Sequence, residues 1–212
     1  MAGAGRAGMP KLFFSPGACS LSPHIALREA QLPFELVQVD LRAKRTKAGD
    51  DFYTINPKGY VPALLLDDGE LLTEGAIIVQ YVADRRPELG LAPPAGTRER
   101  RRLQEWLHFI ATELHKGFGP LNNPQAGPEL KETLKAKLLS RFALLAKSLE
   151  DRSFLLGDSF TVADGYAYYV LRSLRRLAPE ALTGTPRLAA YFDALGSRPS
   201  VRAALEAENV PA

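Results

Sequence analysis

The chain has 212 residues, 46% of them hydrophobic and 24% charged, an ordinary globular composition that can build one large domain or two small ones. Its net charge of +3 is small, and Glu99 and Glu105 dilute the cluster Arg98, Arg100, Arg101 and Arg102, so the basic footprint of a nucleic-acid binder is excluded. A single cysteine rules out an internal disulfide and suits a reducing compartment, and no apolar run approaches the length of a membrane helix.

In chain order, MAGAGRAG (1–8) is small and patternless and reads as a flexible extension, with no signal-peptide pattern. Lys11–Phe14 is a short apolar strand. Ser20 to Ala30 carries Leu21, Ile25 and Ala26 on one helical face, with Pro23 tolerable in the first turn. Phe34–Val39 is β-rich and runs into the polar stretch Asp40–Asp51. Ala63–Leu66 is an apolar strand closed by Asp67-Asp68-Gly69, a hairpin turn signal, and Leu71-Leu72 returns. Gly75–Ala83 is helical. This β-α-β, β-β-α order predicts a mixed sheet with a helix crossover. Residues 87–96, PELGLAPPAG, hold too many helix breakers for a regular element. Beyond them only helical segments are predicted, near 97–116, 129–150, 161–177, 186–197 and 200–208. Thr161-Val162-Ala163-Asp164 fits a capping box, which makes Asp164 structural. The expected architecture is α/β followed by all-α: a domain over 9–88, a linker over 89–96 and a helical domain over 97–212.

Four features offer chemistry, each with a plainer alternative. Cys19 sits where a strand turns into a helix; helix amides there favour a thiolate, yet most lone cysteines simply pack. Val61-Pro62 opens a strand, and a cis bond would turn the Val61 backbone outward to pair with an extended peptide; a trans proline would not. Thr73-Glu74-Gly75-Ala76 begins a helix, so its amides suit a carboxylate and Glu74 an ammonium, or the charge merely favours the first turn. His115-Lys116 ends a long helix with His108 two turns earlier on the same face; these are either a cationic pair near a site or partners of the helix dipole. His24, His108 and His115 lack ligand partners at metal spacing, so no metal is expected.

Taken together, SPGACSLSPHIALREA, NPKGYVPALLLDDG, LTEGAIIVQYVAD, ELHKGF and LLGDSFTVAD resemble the cytosolic glutathione transferases, the bacterial beta class most of all. The resemblance runs in family order from about Lys11 to Asp164. It implies a thioredoxin-like N-terminal domain, a helical C-terminal domain, a cytoplasmic homodimer, a cis Val61–Pro62 bond and glutathione as co-substrate. It places Cys19 and Ser20 beside the glutathione sulfur and Lys44 on a carboxylate. The Val61 backbone would pair with the cysteinyl unit, Tyr60 and Pro62 would be further glutathione-binding residues, and Glu74 and Gly75 would take the γ-glutamyl head. His115, the second expected catalytic residue, would line the site near Cys19 together with Lys116 and Thr112.

Two residues depart from the class pattern. Phe14 stands where the class usually carries a tyrosine, and His108 where it usually carries an asparagine that reaches glutathione. The expected activity is conjugation of glutathione thiolate to hydrophobic electrophiles, with Trp106, Phe109, Tyr166 and Tyr169 either as pocket walls or, as most aromatics at helical spacing are, simply as core. Thiol–disulfide exchange through Cys19 is expected beside it, since one cysteine suits a monothiol route. The reading from another class is a non-catalytic module that holds ligands or a partner on the same scaffold.

Overall fold

A computed structural model describes residues 9–211; the extension expected over residues 1–8 lies outside the described residues. The chain divides into two compact units, one running to Leu89 and resuming at Pro199, the other spanning Gly90–Arg198.

The first unit is built on a five-stranded sheet: β1 (Lys11–Phe14), β2 (Glu35–Asp40), β3 (Arg45–Thr46), β4 (Ala63–Leu65) and β5 (Leu71–Thr73), in the order β3-β2-β1-β4-β5. β1 runs parallel to β2, as a helical crossover requires, and antiparallel to β4, which in turn pairs with β5 through the Asp67-Asp68-Gly69 hairpin. Alternation along β1 separates two cores. Phe13 faces Val39, Phe52, Val61 and Ala63, beneath the short α2 (Phe52–Ile55). Also buried are Leu12 and Phe14, with Leu21 and Ile25 of α1 (Leu21–Glu29) and Ile78, Val79 and Val82 of α3 (Gly75–Asp84). The polar stretch Asp40–Asp51 does contain a strand, β3, because a two-residue pairing with Val39 and Asp40 is too short to show a period.

The second unit comprises α4 (Arg98–Phe109), a π-helical segment (Ile110–His115), α5 (Phe118–Leu121), α6 (Pro128–Ser148), α7 (Val162–Leu177), α8 (Pro179–Thr183) and α9 (Pro186–Gly196). α7 is the most buried of them, and its start is the expected capping box. Asp164 accepts from the Thr161 amide at 2.8 Å and hydroxyl at 2.9 Å, from the Leu155 amide at 2.9 Å and from the Tyr191 hydroxyl at 2.6 Å. Burial pushes its carboxyl above the ordinary range, and these four bonds oppose the push. The sequence pattern misses α5 and α8, each under six residues.

The last helix, α10 (Pro199–Ala207), joins the first unit rather than the helical one in which the sequence pattern places it. It packs along α1, burying Val201, Ala204 and Leu205. Ser200 donates to Glu29 at 2.5 Å at one end, and the buried Glu208 carboxylate meets His24 Nδ1 at 2.8 Å at the other. Helical periodicity identifies α10 but is blind to its partner, so the boundary had to come from packing. Among the described residues no helix is long and apolar enough to cross a membrane.

Candidate functional site

In the first unit the loop Ser15–Ser20 joins β1 to α1 and carries Cys19. It is closed by local bonds: the Ser15 amide donates to the Ser20 hydroxyl at 3.2 Å, the hydroxyl donates back to the Ser15 carbonyl at 3.3 Å, and the Ala18 amide donates to Ser15 at 3.0 Å. Ser20 is fully buried, so its side chain braces the loop instead of facing a ligand. The Gly17 amide donates to Glu208 Oε2 at 2.8 Å, tying the loop to the end of α10. His24 completes this cluster: Arg28 Nε donates to His24 Nε2 at 2.9 Å, so Nδ1 carries the hydrogen that faces Glu208.

The half-buried Cys19 thiol donates to the Val61 carbonyl at 3.2 Å, a bond that only the protonated thiol makes. The first amides of α1 are already engaged, Leu21 with Ala18 and Ser22 with Cys19 carbonyl oxygens at 3.0 and 3.2 Å. The helix-terminus argument for a thiolate is therefore weaker in the fold than in the sequence. The Val61–Pro62 peptide bond is cis, in line with the resemblance.

Around this edge the loop 56–62 is held from three sides. Asn56 Nδ2 donates to the Tyr60 carbonyl at 2.8 Å, and Lys44 Nζ donates to the Gly59 carbonyl at 2.6 Å. Gly59 has φ +67, a backbone conformation that favours glycine, and a Cβ there would push aside the exposed Tyr53 ring. Glu74 precedes α3 with φ +66. Its Oε1 accepts from Tyr60 Oη at 3.1 Å and from Lys58 Nζ at 3.0 Å, and Lys58 also donates to Thr73 Oγ1 at 2.9 Å. At Gly75 a Cβ would meet only Pro62 Cγ, at 3.6 Å, an ordinary contact. Cys19, Lys44, Tyr60, Val61, Pro62, Glu74 and Gly75 are thus linked through one loop and its neighbours. Lys58 belongs to the same cluster, although neither spacing nor the family motif singled it out.

Phe14 is buried with its ring 6.5 Å from His24 and, having no hydroxyl, offers no hydrogen bond. It lines an open groove of about 510 Å³ with Leu36, Gln38, Lys47 and Ala207 among others.

In the second unit the π-helical segment changes the expected alignment of His108 and His115. The Lys116 amide bonds to the Ala111 carbonyl at 3.2 Å, a five-residue step that rotates the register, so a seven-residue spacing no longer stacks two side chains on one face. His108 is exposed and Thr112, also exposed, donates its hydroxyl to the His108 carbonyl at 3.0 Å. His115 is half-buried: Nδ1 lies 2.8 Å from Tyr166 Oη and Nε2 3.5 Å from Tyr169 Oη, with both rings edge-on to the imidazole. Burial, helped by the neighbouring Lys116 charge, lowers the His115 pKa to about 4. The pair His115-Lys116 is therefore one neutral imidazole and one cation at neutral pH, not two cations. The four aromatic residues expected to form one wall separate into two groups. Tyr166 and Tyr169 bracket His115, whereas Trp106 and Phe109, edge to face at 5.8 Å, line a cleft of about 260 Å³ with Glu105 and Leu144.

Residues 17–85 match the N-terminal domain of glutathione S-transferases and residues 109–199 their C-terminal domain. The chain is 47% identical over 200 residues to glutathione S-transferase GstA of Escherichia coli O157:H7, covering 94% of this chain and 99% of that one. Among solved structures it resembles the bacterial transferase BphK in a ternary complex (TM-score 0.90, 52% identity, 94% and 100% of the two chains). It also resembles a sphingomonad glutathione S-transferase complexed with glutathione (0.90, 46%, 95% and 100%). A bacterial beta-class enzyme of Sphingomonas chungbukensis also matches (0.89, 45%, 95% and 100%). The chain belongs to the glutathione S-transferase family, in its bacterial beta-class branch, and is an enzyme of that family.

Proposed function

We propose that this transferase binds glutathione at the loop edge around Cys19, Val61 and Glu74 and conjugates its thiolate to hydrophobic electrophiles. The observation that carries the reading is the loop edge at Val61, whose carbonyl accepts from the half-buried Cys19 thiol at 3.2 Å beside the Glu74 carboxylate that Tyr60 and Lys58 hold. A carbonyl in that position can accept from the amide of an extended peptide, and Tyr60 and Pro62 flank it. Glu74 and Gly75 suit the amino-acid head group, while Lys44 suits a carboxylate. Ser20 contributes by holding the Cys19 loop. His108, Thr112, His115 and Lys116 enter the reading by family resemblance; His115 then acts as a neutral hydrogen-bonding group and Lys116 as the charge. Conjugation forms a carbon–sulfur bond between glutathione sulfur and the electrophile, and the leaving group departs with its electron pair.

Thiol–disulfide exchange is the second activity of the same site. The Cys19 thiolate attacks the glutathione sulfur of a mixed disulfide, releasing the other thiolate and forming Cys19–glutathione disulfide. A second glutathione thiolate then releases Cys19 and leaves as oxidised glutathione. We take the working form to be a cytoplasmic homodimer that uses no metal, as the family resemblance implies.

Intact mass after exposure to oxidised glutathione tests the site: a single glutathionyl adduct is expected on the wild type and none on Cys19→Ala. An unmodified wild type that also shows no binding in a glutathione titration would refute the site. Cys19→Ala should reduce exchange far more than conjugation, and an equal fall in both would refute the separation of the two routes.

A further inference from the structure

Lys58 is a cation placed at the pole of the site that the reading above gives to an amino-acid head group. Its Nζ donates to Thr73 Oγ1 at 2.9 Å and to Glu74 Oε1 at 3.0 Å, and an ammonium has a third proton to give. The side chain is 47% exposed and Glu74 57%, so ligand atoms can reach both. Its backbone is fixed as well, since the Lys58 amide donates to Asn56 Oδ1 at 3.2 Å. Beside it α3 begins, with the Ile77 and Ile78 amides donating to the Glu74 carbonyl at 2.9 and 3.0 Å, which fixes the Glu74 backbone next to Lys58.

We infer that Lys58 is a specificity-determining residue that recognises the α-carboxylate of the γ-glutamyl head, opposite Glu74, which takes the α-ammonium. The inference rests on the glutathione reading above and adds to it the residue that reads the second charge of the head group. A zwitterionic head carries one cation and one anion, and Glu74 with Lys58 is the complementary pair. Before binding, the two side chains neutralise each other; on binding, the head inserts its own pair and the four charges alternate. Thr73 holds the Lys58 ammonium in place while Glu74 turns to the ligand. The bond from Glu74 also holds the Lys58 pKa above its usual value, so the cation persists throughout the working range.

Calorimetric titration of the reduced full-length chain tests the inference with two peptides, glutathione and γ-aminobutyryl-cysteinyl-glycine, which lacks only the α-carboxylate. Lys58→Met should weaken glutathione binding about five-fold, the scale of a partly exposed ion pair, and leave binding of the decarboxylated peptide unchanged. Lys58→Arg should restore most of the glutathione affinity. Tighter glutathione binding by Lys58→Met would overturn the inference by showing that Lys58 competes with the ligand for Glu74. No change with either peptide, or equal weakening of both, would overturn it in favour of no role or a bracing role. These three results leave the glutathione reading standing, whereas a wild-type chain that binds neither peptide overturns both.

Discussion

Acidification should destabilise the second unit through His115. The unfolded imidazole titrates at its ordinary value of 6.5, and in the fold burial and Lys116 bring it to about 4. Between those values the unfolded chain takes a proton that the folded one refuses, so stability from this group is complete above the ordinary value and falls as the pH drops below it. At about pH 5 the loss amounts to about 2 kcal/mol, approaching about 3 kcal/mol below about pH 4. The single tryptophan, Trp106, lies in the same unit and reports its unfolding by fluorescence. Urea unfolding at about pH 8 and about pH 5 should show the wild type losing about 2 kcal/mol more than His115→Asn, which removes the titrating ring but keeps a polar group near Tyr166. Equal losses in the two proteins, within about 0.5 kcal/mol, would refute the claim that His115 is held neutral.

Asp164→Ala should lower stability by about 3–5 kcal/mol, since it strands four buried donors at the start of α7; a thermal shift equivalent to less than about 1 kcal/mol would contradict that role. Glu208→Gln should cost about 2–3 kcal/mol, because the amide keeps one acceptor oxygen and sets its NH2 against the other buried donor, His24 Nδ1–H or the Gly17 amide. Ser200→Ala, at the half-buried end of the same helix pair, should cost well under half as much; chemical denaturation of the two variants checks the ranking. Gly59→Ala should destabilise by about 1–3 kcal/mol because it combines a positive φ with intrusion on Tyr53, and the same change at Gly75 should stay within about 1 kcal/mol. Matching melts for the two glycine variants would refute the difference.

Much of the fold is local physics and was legible in the residues. The short apolar run of Lys11–Phe14, the Asp-Asp-Gly hairpin, helical periods after Gly75 and the Thr161–Asp164 box each constrain their own few residues, and the structure follows them to within a residue or two. The family motif carried the cis Val61–Pro62 edge, which periodicity cannot choose because both isomers satisfy the same pattern. What only the tertiary structure decided depends on groups distant in sequence or on backbone geometry with no hydropathy signal. α10 belongs with α1 because Glu208 finds His24 and Gly17, contacts across more than 180 positions. Lys58 joins Glu74 only when a loop and a helix start meet beside the sheet. The π-helical turn swings His115 away from the alignment with His108 that an α-helix would impose, and burial between Tyr166 and Tyr169 then removes its charge. Sequence sets the local geometry here because each hydrogen bond closes within a few residues; the ionisation and partnership of the site residues await the packing that surrounds them.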